Sequence, residues 1–275
     1  MSQSRDIVLN DGHAMPRLGL GVWQTPPETT ADAVAAALAA GDRHVDTAAA
    51  YRNEAGVGEG LRRSGLAREQ VFVTTKLWND FQGFDSTLRA FEGSLQRLGF
   101  DYLDLFLIHW PAPRQNRYLE SWRAMIRLRD ERRVRSIGVS NFPVQHLDRL
   151  IDETGVTPAV NQIELHPTFS QETLRLQDYE RGIVTESWSP LGRGALLTNP
   201  TLVEIGRKHG KTAAQVIIRW HLTLDLVVIP KSATPSRIVE NFDVWDFELD
   251  SEDLAAIAAL DSPTGRMGPD PGTFG

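Results

Sequence analysis

The sequence predicts a (β/α)8 TIM barrel of the α/β class, with residues 1–275 forming a single domain. Three observations lead there. Eight short apolar runs recur along the chain, several of them unbroken Val, Ile and Leu, as expected of parallel strands covered on both faces. Amphipathic helical patterns lie between them. With 275 residues, 41% of them hydrophobic, the chain can bury one large core. The rival is a doubly wound sheet, which usually marks a nucleotide with Gly-x-Gly-x-x-Gly after its first strand. Here Gly19-Leu20-Gly21 meets Gln24 where the third glycine belongs, and "GVGEG" at 56–60 meets Leu61. No Walker A pattern occurs.

The elements follow in order. "IVLNDGHAMPRLGLG" reads as a β-hairpin around Asn10-Asp11-Gly12, where Asp-Gly supplies positive φ. The eight strands are expected at Leu18–Trp23, His44–Ala48, Val71–Leu77, Leu103–Trp110, Val134–Asn141, Ala159–Leu165, Ile183–Ser189 and Leu226–Pro230. A helix fills 30–40, nearly all alanine, with Leu38 and a closing Gly41. Asp85-Ser86 is expected to cap a helix carrying Leu88, Phe91, Leu95 and Leu98, which Gly99 ends. Thr212 opens another, with Ala213, Val216, Ile217 and Trp220 on one face. A last helix is expected over Ser251–Leu260. The tail, Asp261 to Gly275, is rich in Gly and Pro and is expected to be irregular and flexible. No linker or internal repeat is visible.

Composition removes several classes. Net charge is −7 and pI about 5.5, so no electrostatic footprint for nucleic acid is present. The densest basic run, Arg127 to Arg135, also holds Asp130 and Glu131 and reads as a solvated helix end. There is no cysteine, hence no disulfide framework or thiolate zinc site, which suits a reducing cytosol. Met1 to Leu20 lacks the apolar core of a secretory signal. No window approaches the roughly eighteen apolar residues of a membrane span. A cytoplasmic monomer with no membrane partner is expected.

In such a barrel the C-terminal strand ends carry the active site. Strand two ends in Asp46, with Tyr51 in the loop beyond it. Strand three ends in Lys76 and strand four in His109. Strand five ends in Ser140-Asn141. Strand six carries Gln162 and Glu164, strand seven Trp188 and Ser189, and strand eight ends in Lys231-Ser232. Taken singly, each has a plain structural reading: an Asp caps a helix, a Lys reaches water, a His or Trp packs. The barrel sets them all on one rim, which makes an accident a poor account of them.

Together they suit proton donation to an alkoxide. A tyrosine hydroxyl titrates near 10, and a nearby ammonium lowers that value. A carboxylate keeps the buried ammonium charged. A neutral imidazole can orient a carbonyl oxygen. Asp46, Tyr51, Lys76 and His109 supply these four parts. No Gly-x-Ser-x-Gly or Ser-His-Asp order points to acyl transfer. No His-x-x-x-His spacing points to a metal, so none is expected. The alkoxide needs a hydride, which side chains do not supply, so the remaining rim residues should bind a nicotinamide. Trp188 could stack on the ring. Ser140, Asn141 and Gln162 suit its carboxamide. Lys231, Ser232 and Arg237 suit a terminal phosphate such as the 2′-phosphate of NADPH.

"GLGVWQ", "GDRHVDTAAAYRNEAGVG", "VFVTTKLWND", "LDLFLIHWP", "IGVSNF", "VNQIELHP", "ESWSPLGRG" and "VVIPKSATPSRIVEN" occur in that order. From residue 7 to about residue 248 the chain resembles the aldo-keto reductases, and among them small bacterial members of the 2,5-diketo-D-gluconate reductase type. The resemblance implies NADPH lying extended across the barrel rim, without a Rossmann domain, and reduction of a small-molecule carbonyl. It implies Tyr51 as general acid, Lys76 and Asp46 as its tuning pair, and His109 orienting the carbonyl. Ser140, Asn141 and Gln162 match the carboxamide site and Trp188 the stacking aromatic, with Ser189 and Leu191 counted among the cofactor contacts. Lys231, Ser232 and Arg237 match the 2′-phosphate site, and Glu240 and Asn241 lie near the adenine. Trp23, Trp78 and Trp110, with His109, match the substrate pocket. Thr234 stands where some relatives carry another basic residue. The segment "PAPRQNRYLESW" is short, leaving the pocket open on that side and giving the tail a part in substrate choice. A redox sensor that holds NADPH without turnover is the second reading, and a metal-dependent barrel hydrolase the third.

Overall fold

The computed structural model describes residues 4–275; the first three residues of the N-terminal stretch and of the expected domain lie outside them. An antiparallel hairpin pairs β1 (Asp6–Val8) with β2 (Ala14–Pro16), and Gly12 turns it at φ 89°. Eight parallel strands follow: β3 (Leu20–Gly21), β4 (His44–Asp46), β5 (Phe72–Leu77), β6 (Leu103–Ile108), β7 (Val134–Ser140), β8 (Val160–Glu164), β9 (Val184–Trp188) and β10 (Val227–Val228). They pair in chain order, as the barrel reading requires. Parallel bridges Leu18–Val228 and Gly21–Lys231 join the last strand to the first, with Gly19 N donating to Val228 O at 3.0 Å. The ring is closed, so among the described residues the eight-stranded sheet has no free edge to pair with another chain.

The helices are α1 (Pro27–Ala39), α2 (Glu54–Ser64), α3 (Phe84–Leu98), α4 (Tyr118–Asp130), α5 (Val144–Thr154), α6 (Glu172–Glu180), α7 (Pro200–His209), α8 (Ala213–Thr223), α9 (Pro235–Phe242) and α10 (Ser251–Ala258). Among the described residues no helix is long and apolar enough to cross a membrane. Strand side chains alternate between two buried layers. Phe106 and Ile108 pack outward with helix residues such as Phe91 and Trp122. Leu105 and Leu107 point inward with Phe72, Val160 and Val227. Leu9 and Met15, from the hairpin, join that inner group, so the hairpin plugs the N-terminal mouth of the barrel.

The structure differs from the sequence expectations in detail. The first and last strands are short because their neighbours are joined by single bridges rather than a ladder. The first helix begins at Pro27, whose fixed φ suits a first turn. Asp85 and Ser86 do not cap α3: they lie inside it, and the cap is Gly83 at φ 120°. Thr212 caps α8 as expected, accepting from Gln215 N, and Gly99 ends α3 in the left-handed region. Helix α10 ends two residues earlier than expected, at Ala258. Helix α7 was not expected, although Asn199 before Pro200 is an N-terminal signal and the Asn199 side chain accepts from Leu202 N. Tail residues Asp261–Gly275 form neither helix nor strand.

The failed nucleotide motif at 56–60 has a packing explanation. Gly56, Gly58 and Gly60 all lie on α2. A Cβ at Gly60 would stand 2.6 Å from Val34 Cβ, one at Gly56 2.7 Å from Thr30 Cβ, and one at Gly58 would collide with the Leu98 carbonyl. These glycines let α2 approach α1 and the end of α3. Gly58→Ala is expected to destabilise the fold by about 1–3 kcal/mol, read as a lower thermal midpoint. An unchanged midpoint would show that α2 can move aside at no cost.

Candidate active site

The inward alternation carries polar side chains to the C-terminal end of the barrel. His44 and Asp46 on β4, Thr74 and Lys76 on β5, Gln162 and Glu164 on β8, and Glu186 and Trp188 on β9 share the inner face. Lys76 is fully buried at 0% exposure. Its Nζ donates to Asp46 Oδ1 at 2.6 Å and to the Thr47 carbonyl at 2.9 Å. Tyr51 ends a 3-10 turn, Ala49–Tyr51, and its ring centroid lies 5.1 Å from Lys76 Nζ. Two residues beyond, Asn53 accepts from Thr47 Oγ1 at 2.8 Å and donates to the Val22 carbonyl at 2.8 Å. Glu54 accepts from Thr75 Oγ1 at 2.6 Å. These buried side chains tie down the loop that presents Tyr51.

His109 follows β6. Its ring packs edge-on against Tyr51 and Trp78, at centroid distances of 5.7 and 5.2 Å. Burial, and then the Lys76 charge, hold it well below the ordinary imidazole range, so it is neutral near pH 7. Burial opposes the Lys76 ammonium, but Asp46 and Tyr51 hold it above its ordinary value. Burial pushes the Asp46 carboxyl up against the pull of Lys76. The Tyr51 hydroxyl is raised too: Lys76 pulls it down, as expected from the sequence, but burial outweighs that pull. Tyr51 is only partly buried at the cavity edge, so water in the open site tempers the burial effect.

A cavity of about 940 Å3 opens over this group. It is lined by Asp46, Tyr51, His109, Ser140, Asn141, Gln162, Trp188 and the tryptophans at 23, 78 and 110. A second cavity, about 510 Å3, is lined by Leu191, Ser232, Arg237, Glu240 and Asn241. Trp23, Ser189, Arg193 and Lys231 border both. The residues singled out in the sequence therefore line one of the two, save Lys76, which lies beneath the floor, and Glu164, which the tail covers. Lys231, Arg193 and Arg237 have no ion-pair partner among the described residues, unlike Lys208 and Lys211, which each contact two acids. Among the described residues no cluster of three or more His, Asp or Glu side chains could hold a metal ion.

Several contacts were not foreseen. Gln162 Nε2 donates to Asp46 Oδ2 and to Glu186 Oε2, each at 2.8 Å, so both its N–H groups are occupied and only its oxygen is left for a ligand. Trp188 Nε1 donates to Asn141 Oδ1 at 2.8 Å, and Asn141 Nδ2 donates to the His109 carbonyl at 3.0 Å. Ser140 Oγ donates to the Gln162 carbonyl at 2.8 Å. Glu186 could have been found by counting two residues back from Trp188 along an inward face. Arg193, whose guanidinium sits 5.1 Å over the Trp23 ring, follows Gly192 in a left-handed turn that gives no strand or helix signal.

The tail reaches the rim. Glu164 accepts from Met267 N at 2.7 Å and from Gly268 N at 3.0 Å. Phe274 packs 4.7 Å from Trp110 and 6.4 Å from Trp78, and it lines the larger cavity with Pro269.

Comparison with known proteins agrees with this architecture. Residues 16–262 match the model of the aldo/keto reductase family. An aldo-keto reductase of Mycobacterium sp. (strain JLS) is 59% identical over 268 residues, covering 98% of this chain and 97% of its own. The methylglyoxal reductase DkgA of Escherichia coli (strain K12) is 52% identical over 277 residues, covering 100% of both chains. A variant of Gox0644, solved in complex with NADPH, superposes with a TM-score of 0.95 at 52% identity, again over 100% of both chains. The match from Pro16 to Ser262 takes in the whole barrel, and this chain belongs to the aldo/keto reductase family.

Proposed function

We propose that the protein is an NADPH-dependent reductase of small aldehydes and ketones, working as one barrel domain with Tyr51 as general acid. The observation that carries this reading is Lys76. It is a wholly buried ammonium, paired with Asp46 at 2.6 Å directly under the Tyr51 ring. A structural lysine has little reason to sit there, since burying an ion pair costs about as much as the pair returns. Beneath a tyrosine it has one: it stabilises the tyrosinate that forms when the proton leaves. Before transfer Tyr51 keeps its proton, because its hydroxyl is held above the ordinary range. Neutral His109 can bond a carbonyl oxygen without competing as an acid.

The donor set fits NADPH. The unpaired cations Arg193, Lys231 and Arg237 suit phosphate groups, and Ser140, Asn141 and the free oxygen of Gln162 suit a carboxamide. The bound cofactor supplies hydride to the carbonyl carbon. Trp188 flanks this site and must exchange or keep its bond to Asn141 as the carboxamide enters. Trp23, Trp78, Trp110 and Phe274 wall the carbonyl side, which suits a compact substrate. The relative named as a methylglyoxal reductase makes methylglyoxal the first dicarbonyl to try, with keto-sugars of the 2,5-diketo-gluconate kind next.

Two substitutions test this reading. Tyr51→Phe is expected to lower kcat for methylglyoxal by roughly a hundred- to ten-thousandfold, while NADPH still quenches tryptophan fluorescence. Undiminished turnover would remove Tyr51 from the chemistry. Arg237→Ala is expected to weaken NADPH by roughly ten- to a hundredfold, the range of a lost charge-assisted hydrogen bond, and to leave NADH nearly unaffected. Equal weakening of both would take Arg237 out of the phosphate site.

A further inference from the structure

One buried titratable group has no part in the mechanism above. Glu186 stands on β9, two residues before Trp188, at 0% exposure. Its Oε2 accepts from Gln162 Nε2 at 2.8 Å, and the same amide nitrogen reaches Asp46 Oδ2 at 2.8 Å. One amide thus spans two carboxyls. Glu186 Oε1 has no hydrogen-bond partner, and His44 Nε2 lies 3.7 Å from it.

The charges around Glu186 do not balance. His44 and Asp46 face it from β4, Tyr51 from the turn beyond, Lys76 from β5 and Gln162 from β8, while β10 sets Val227 in register with it. Lys76 is the one cation of that set, and it is already in contact with Asp46. His44 is neutral, since burial pushes it down to about 3. Burial, and then the Asp46 charge, push the Glu186 carboxyl up to about 8. Near neutrality Asp46 therefore carries the charge and Glu186 the proton.

We propose that Glu186 is a positioning residue for the proton donor: through Gln162 and Asp46, its own charge state sets how firmly Tyr51 holds its proton. This rests on the reading of Tyr51 as the acid. While Glu186 is neutral, one carboxylate answers one ammonium. When it ionises, two carboxylates face Lys76, the floor of the site gains a net negative charge, and tyrosinate is disfavoured. Tyr51 then becomes a weaker acid and, in the reverse direction, a base that is harder to form.

The test is the pH dependence of hydroxyacetone oxidation by NADP+, the reverse of aldehyde reduction in methylglyoxal, in the wild type and in Glu186→Gln. Oxidation needs ionised Tyr51, so its rate rises as pH passes the tyrosine's value. Glutamine keeps an acceptor for Gln162 and removes the charge. An ionised Glu186 raises the proton affinity of Tyr51, so the variant's rise is expected at lower pH. A shift of about one unit corresponds to a tenfold change in the proton equilibrium. A rise at the same pH, with or without a uniform loss of rate, overturns the proposal and leaves Glu186 a packing role. Infrared titration of the wild-type protein gives a readout that needs no turnover. Buried Asp42 and Asp178, each pushed up to about 7, contribute bands of their own, so the reading is the difference between wild type and Glu186→Gln. One protonated-carboxyl C=O band that vanishes as pH rises through about 8 is expected in the wild type and not in the variant. Identical band sets in the two proteins, or a difference band that does not titrate, also overturn the proposal. Full activity in Tyr51→Phe sinks the reading of Tyr51 and leaves the infrared result standing. An unmoved oxidation profile sinks the role of Glu186 and leaves Tyr51 standing.

Discussion

Lys76 brings an ammonium into a barrel interior that water does not reach, and Asp46 at 2.6 Å keeps it protonated there. An isolated charge at that depth would give up its proton. The pair must also be fixed, because a carboxylate free to turn would leave the ammonium uncompensated. Gln162 does part of this by holding the second Asp46 oxygen, and the Thr47 carbonyl takes another Lys76 proton. Strand register does the rest: Asp46 pairs with Thr74 and Lys76 with Leu107, so both charges stand at fixed heights in adjacent strands. The closed ring and the hairpin plug keep water out from below. The fold is in this sense the support for one charge pair, and the aromatic rim above it is built around Tyr51 and His109.

Much of this was legible in the residues. The hairpin turn is an Asp-Gly, and the apolar runs, strand order and rim residues follow from alternation and from counting strands. The limits are equally physical. Every position of β5, β6 and β8 is buried, so hydrophobicity does not separate the face toward the barrel axis from the face toward the helices. "VTESW" on β9 likewise shows no apolar alternation, so Glu186 is placed on the inner face only by counting back from Trp188. The cap of α3 was misplaced because Asp85 and Ser86 are good capping residues, but the left-handed Gly83 ends the preceding loop first. The glycines of α2, which fail the dinucleotide pattern at Leu61, are contacts between helices. Short outer strands were overdrawn because an apolar run continues past the last ladder bond.

The hydrogen bonds at the rim show where binding meets resistance. Asn141 sits at φ 63°, at the end of β7, with its amide divided between the His109 carbonyl, Ser140 and Trp188. Ser140, Asn141 and Trp188 line the larger cavity, so a ligand bound against them has to enter a network that is already closed on itself. Such a network orders the pocket in advance, at the cost of bonds that a ligand must replace with equivalent ones.

The last residues of the chain carry a practical consequence. Gly275 lies against Asn79 and Ala112, Phe274 rests on Trp110, and Glu164 grips the backbone at Met267 and Gly268. A purification tag or fusion partner joined at this end would start inside the mouth of the barrel, beside the aromatic wall. The hairpin lies on the opposite face, and an appendage there leaves the mouth clear. By the same logic the segment after α10 works as an exchangeable cassette. It contributes no strand and no helix, so libraries built in it would reshape the pocket while leaving the barrel's hydrogen-bonded ladder intact.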